Sequence, residues 1–100
     1  MSMNLEETTQ KVVALAEKKG GSIGKKIKFK FDEGVILLDD SSSPTQVSNE
    51  DEYADCTVKL SLSNFNKLMN GEMNAMGAFM MGKIKVEGDM GIATKLSNLF

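Results

Sequence analysis

One hundred residues, 41% hydrophobic and 26% charged, give one ordinary globular core and little surplus for a second, so residues 1–100 read as a single domain. A formal net charge of −2 excludes a general nucleic-acid binder, which needs a clustered basic excess. The absence of His removes the commonest general base and the commonest metal ligand.

Residues 4–19 predict the first helix. Leu5, Val12, Leu15 and Ala16 form its apolar stripe with Thr8 and Thr9 in the gap, Glu6 and Glu7 open it, Lys18 and Lys19 close it, and Gly20-Gly21 stop it. KKIKFKFD predicts a strand, with Ile27, Phe29 and Phe31 on one face and Lys26, Lys28 and Lys30 on the other. Asp32-Glu33-Gly34 turns the chain and GVILLD returns it as a hairpin. TQVSN predicts a short third strand, NEDEY an acidic turn, and ADCTVKLSL a strand in which Ala54, Cys56, Val58, Leu60 and Leu62 alternate with polar residues.

SNFNKLMNG follows as a short helix capped by Ser61 or Ser63 and ended by Gly71, with Phe65, Leu68 and Met69 on one face. Asn74 caps a second short helix running to Met80 or Met81 and closed by Gly82. KIKVEGD is a strand with Ile84 and Val86 inward, and residues 90–100 predict a last helix bearing Ile92, Ala93, Leu96, Leu99 and Phe100. Lys28, Lys30, Lys59 and Lys85 all fall on the polar side of their strands, so helices are expected on one sheet face only. The fold class is α+β: a two-layer sandwich with a mostly antiparallel sheet.

Residues 69–91 hold six of the eight methionines. Phe65, Leu68, Met69, Met73, Met76, Phe79, Met80, Met81 and Met90 offer more apolar surface than a small sheet face needs, and the adjacent Met80 and Met81 diverge by about 100° on a helix. They are either a methionine-rich core with some exposed thioethers, or an adaptable apolar cavity, since Met repacks around varied partners.

The stretch ADCTVKLSLSNFNKLMNGEMNAMGAFMMGKIKVEGDMGIATKLSNL resembles the lipid-binding domain of the sterol carrier protein type 2 family. The resemblance is carried by the ADCT strand, Phe65, Leu68, Gly71, Met73-Asn74, Ala78-Phe79, Gly82-Lys83, Lys85, Gly88, Met90-Gly91, Ala93, Lys95-Leu96 and Leu99. The first half agrees in layout. The resemblance implies a five-stranded sheet covered on one side by helices, with a hydrophobic tunnel between the layers. It implies non-enzymatic binding and transfer of fatty acid, fatty acyl-CoA, sterol or phospholipid, with no cofactor. Phe65, Leu68, Met69, Met73, Met76, Phe79, Met80, Ile92, Leu96, Leu99 and Phe100 are the expected ligand-contacting residues. Transient membrane contact and a metabolic enzyme partner go with that reading. The other reading is a protein-interaction module whose Met-rich helices bind an apolar segment of a partner.

The chain stops at Asn98-Leu99-Phe100, where longer relatives carry a tail over the tunnel and peroxisomal ones a targeting tripeptide. Phe100 is therefore expected to close one end of the cavity. The polar, acidic start MSMNLEETTQ is unlike a secretory signal, and the single cysteine, Cys56, fits a reducing compartment, so cytoplasmic residence is expected. A rigid, vacant cavity of roughly 300 Å³ would cost about 7 kcal/mol, against a total stability of about 5–15 kcal/mol. The cavity is expected to be partly collapsed, wet or filled.

Cys56 reads as an inert buried thiol. Asp39, Asp40, Glu50, Asp51, Glu52 and Asp55 match no metal-loop spacing and read as a solvated rim. GDMG lacks the full glycine pattern of a phosphate loop and reads as turn geometry. The lysine face reads as an ordinary charged surface, with attraction to anionic lipid headgroups as the alternative.

Overall fold

A computed structural model describes residues 4–20, 23–41 and 44–95. The first helix, α1 (Leu5–Lys19), starts at a capping box: Glu7 N donates to Asn4 Oδ1 at 2.8 Å and Asn4 N to Glu7 Oε1 at 3.2 Å. Its buried positions Thr8, Val12 and Ala16 recur every four residues, which lays one stripe against the core.

The next two strands, β1 (Lys26–Phe31) and β2 (Gly34–Asp39), form the expected hairpin around Asp32-Glu33, in a register that sets Phe31 opposite Gly34 and Ile27 opposite Leu38. They are followed by β3 (Gln46–Ser48), β4 (Cys56–Lys59), α2 (Leu62–Met69), α3 (Ala75–Met80), β5 (Lys85–Gly88) and α4 (Met90–Thr94). Ser61 is the cap of α2, accepting from Asn64 N at 3.0 Å.

Among the described residues five strands form one sheet in the order β3-β2-β1-β4-β5. Three of its pairings are antiparallel; β1 and β4 run parallel. The helices cover the face that carries Ile27, Phe29, Phe31, Ile36, Leu38, Cys56 and Val58, and Val12, Ala16, Leu62, Phe65, Leu68, Ala78 and Ile92 complete the core from the helical side. Phe65 seats α2 on β1, its ring centroid 4.7 Å from Phe29 and 5.2 Å from Phe31.

The opposite sheet face is less bare than alternation suggests. Parallel pairing sends residues 49–55 across β2 and β1. Lys28 Nζ donates to Asp51 Oδ1 and to the Glu52 carbonyl, both at 2.7 Å, and Asp55 Oδ2 accepts from Lys26 N at 3.0 Å. Val35 and Leu37, which share this face with Lys30 and Lys28, are buried. The acidic residues expected to form a solvated rim thus include several with structural work. Asp40, buried, accepts from Ile23 N and Gly24 N at 2.8 Å and from Thr45 Oγ1 at 2.6 Å.

Candidate functional site

Helix α3 is six residues long, capped by Asn74, whose Oδ1 accepts from Gly77 N at 3.0 Å. Ala78 is its buried anchor. Ala75, Met76 and Phe79, at positions i, i+1 and i+4, present one side toward Ile84 and Val86, which alternation turns to the helical face at the sheet edge. Met90 and Thr94, one helical turn apart on α4, complete the lining of an apolar pocket of about 90 Å³. Among the described residues no charged side chain lines it. The Thr94 hydroxyl donates to the Gly91 carbonyl at 2.8 Å, so its polarity is already used. Such a lining attracts hydrocarbon and offers it no reactive group.

The pocket is bordered by adaptable side chains. Met76, Phe79 and Met90 are 47%, 38% and 48% exposed. The pocket's rim is therefore open to solvent, and its 90 Å³ are well below the roughly 300 Å³ of a ligand cavity.

The eleven residues expected at the site fall into separate places. Met76 and Phe79 line the pocket. Phe65, Leu68 and Ile92 are buried core. Met73 is half-buried and packs against that core. Met69 lines a different recess with Lys11, Leu15 and Lys18. Met80, 83% exposed, points into solvent beside Met81 at 72%. Leu96, Leu99 and Phe100 lie outside the described residues.

Sequence reasoning left Ala75, Ile84, Val86 and Thr94 out of the site, and named Met90 among the cavity methionines but not among the eleven. The alternation of KIKVEGD already turned Ile84 and Val86 inward, and a spacing of four joined Met90 to Thr94. What was lacking was the position of β5 at the sheet edge, which puts these two segments side by side. Cys56 is fully buried, as its register implied, and burial together with the Asp89 charge raises its pKa to about 11. Among the described residues no group of acidic, His or Cys side chains could hold a metal ion, and no helix is long and apolar enough to cross a membrane.

A family model described as the SCP-2 sterol transfer family matches residues 4–100. Sterol carrier protein 2 from Homo sapiens is 51% identical over 51 residues, which are 51% of this chain and 9% of that protein. The chain thus matches less than a tenth of the length of the first curated relatives. The apo form of sterol carrier protein 2 from Yarrowia lipolytica superposes with a TM-score of 0.69 at 22% identity, over 98% of this chain and 80% of that one. The sterol carrier protein domain 2 of Helicoverpa armigera gives 0.66 at 27% identity, over 94% and 76%. Both are open sheets with helices, the α+β fold described above.

Proposed function

The chain belongs to the SCP-2 sterol transfer family, and we propose that it binds a lipid by its hydrocarbon part in the pocket between α3, β5 and α4 and carries it chemically unchanged. The observation that supports this reading most is the lining: Met76, Phe79, Ile84, Val86 and Met90 around a space with no charged wall among the described residues. The candidate ligands are a fatty acid, a fatty acyl-CoA, a sterol or a phospholipid. Binding begins from a small pocket. Each methylene that enters recovers about 0.8 kcal/mol, and the half-exposed thioethers withdraw to make room at little rotamer cost. Repeated entry lengthens the pocket into a tunnel toward the buried Phe65, Leu68 and Ile92. Transient contact with a membrane loads and unloads the lipid, a metabolic enzyme receives it, and the exchange takes place in the cytoplasm.

The test is a thermal-shift panel on delipidated protein with fatty acids, acyl-CoAs, sterols and lysophospholipids. A ligand that binds only the folded state adds about 2.7 kcal/mol at a hundredfold excess over Kd. At least one class should raise Tm by several degrees, and native mass spectrometry should show it bound one to one. Flat melting curves across the whole panel would overturn lipid carriage.

A further inference from the structure

Three lysines stand at one level on three adjacent strands. Lys30 lies directly beside Lys59 across the parallel β1–β4 pair, and Lys59 directly opposite Lys85 across the antiparallel β4–β5 pair. Side chains so placed share one face, and like charges directly opposite one another are destabilising. Lys83 joins them: with Asp32, Ser61 and Gly82, the four lysines line a groove of about 480 Å³.

The other end of the same sheet face is treated differently. There Lys28 meets Asp51 at 2.7 Å and Lys26 meets Asp39 at 4.0 Å. At the groove Lys59 meets Glu87 at 3.0 Å, Lys30 adds a weaker charge attraction to the same carboxylate, and Asp32 also lines the wall, which leaves four lysines against two carboxylates. Among the described residues Lys30, Lys83 and Lys85 form no ion pair. A chain with fewer basic residues (12) than acidic ones (14) has nonetheless gathered four lysines around one groove. The repulsion in the row is relieved when an anion with several oxygens bridges it, and a phosphate group does this for ammonium groups.

The groove and the apolar pocket share a wall. Residues 82–86 lead from a turn into the edge strand β5, with Ile84 and Val86 lining the pocket and Lys83 and Lys85 the groove. We propose that the groove holds the phosphate of a phosphate-headed amphiphile whose hydrocarbon chain occupies the apolar pocket around the edge strand β5. This rests on the lipid-binding reading above and adds the headgroup to it. The same phosphate chemistry can arrive on a lipid or on a soluble phosphoester.

The experiment compares three probes on the wild-type protein and on the K30Q/K85Q double variant, whose substitutions are at exposed positions. The probes are a lysophosphatidic acid below its micelle concentration, the monoacylglycerol of the same chain, and glycerol phosphate. The wild type should bind the phosphate-headed lipid at least about tenfold more tightly than the uncharged one. That advantage should shrink with added salt and disappear in the double variant, with monoacylglycerol affinity unchanged. Equal affinity of the wild type for the two lipids would overturn the proposal, as would a variant that loses both equally. If neither lipid binds, the lipid reading and the shared-amphiphile proposal fail together. Glycerol phosphate then decides the groove on its own. Chemical-shift changes at Lys59 and Lys83, which both proteins retain, that appear in the wild type and vanish in the variant assign it to a soluble phosphoester, and their absence from the wild type removes the anion site altogether.

Discussion

Asn66 Nδ2 donates to Thr8 Oγ1 at 3.0 Å inside the core, joining α2 to α1. The Thr8 hydroxyl gives its own proton to the Asn4 carbonyl at 2.8 Å, and Asn66 Nδ2 also donates to Leu62 O at 2.9 Å. Flipping the amide would set its oxygen against two acceptors, so the orientation is determined, and Asn66 Oδ1 is left buried with no partner among the described residues. Thr8→Val keeps the shape and removes the acceptor; it should cost about 1 kcal/mol. The double variant Thr8→Val/Asn66→Leu should be less destabilised than the two single variants added together, because removing both partners leaves no stranded donor. Denaturant midpoints of the four proteins check this; strict additivity would mean the bond contributes nothing.

Phe65 and Met76 should separate stability from binding. Phe65 is fully buried between β1 and the helices, so Phe65→Ala should cost about 3–5 kcal/mol. Met76 is 47% exposed at the pocket. Met76→Ala should cost about 1 kcal/mol or less and weaken binding of a fluorescent fatty acid. If Met76→Ala leaves affinity untouched, the pocket is misplaced.

Gly88 sits opposite Cys56 with φ +97°, and a Cβ there would lie 2.5 Å from the Asp55 carbonyl oxygen. Gly88→Ala therefore combines an unfavourable φ with a backbone clash and should cost more than about 2 kcal/mol. Gly71 has φ +77° and nothing within 4 Å of the same position, so Gly71→Ala should cost only about 1 kcal/mol. Thermal unfolding of the pair isolates the clash; equal losses would show that β5 yields freely at Gly88.

Cys56 should be a poor nucleophile. Burial first, and Asp89 second, hold its thiol near a pKa of about 11. The neutral thiol is favoured in the folded state, so this group leaves stability intact below the unfolded thiol pKa and lowers it as pH rises beyond that value toward 11. At pH 8 a thiol reagent should label the native protein far more slowly than the unfolded chain, with denaturant restoring the rate. Rapid native labelling would place the sulfur at the surface.

Lys28 holds the Asp51 carboxyl below its ordinary pKa, chiefly by hydrogen bonding and then by charge, and Lys59 does the same for Glu87. A depressed carboxyl stabilises the fold above its unfolded pKa and loses that contribution as pH falls through the folded value. Lys28→Gln should move the Asp51 titration upward, read by carboxyl-carbon NMR, and the stability gap between variant and wild type should narrow as the solution is acidified. An unmoved Asp51 would mean the contact does not persist in water.

Local chemistry determined the helices, the hairpin and the inward register of Cys56, because each is decided by neighbours a few residues apart. The Glu pair and Lys pair at the two ends of α1, Asn74 ahead of α3, and the alternation of KIKFKF are all such signals. The parallel pairing of β1 with β4 was not among them: it joins residues roughly thirty positions apart and depends on the crossover at 49–55 finding Lys28. The lysine row follows from that pairing, since Lys30, Lys59 and Lys85 become neighbours only once three strands share a register. The pocket was out of reach for a different reason. Helix α3 is apolar on every side, so periodicity alone could not choose between Met76-Phe79 and Met80-Met81 as its inner face. Ala78 packed into the core and β5 at the sheet edge made that choice, turning Met76 and Phe79 onto Ile84 and Val86 and leaving Met80 and Met81 in water.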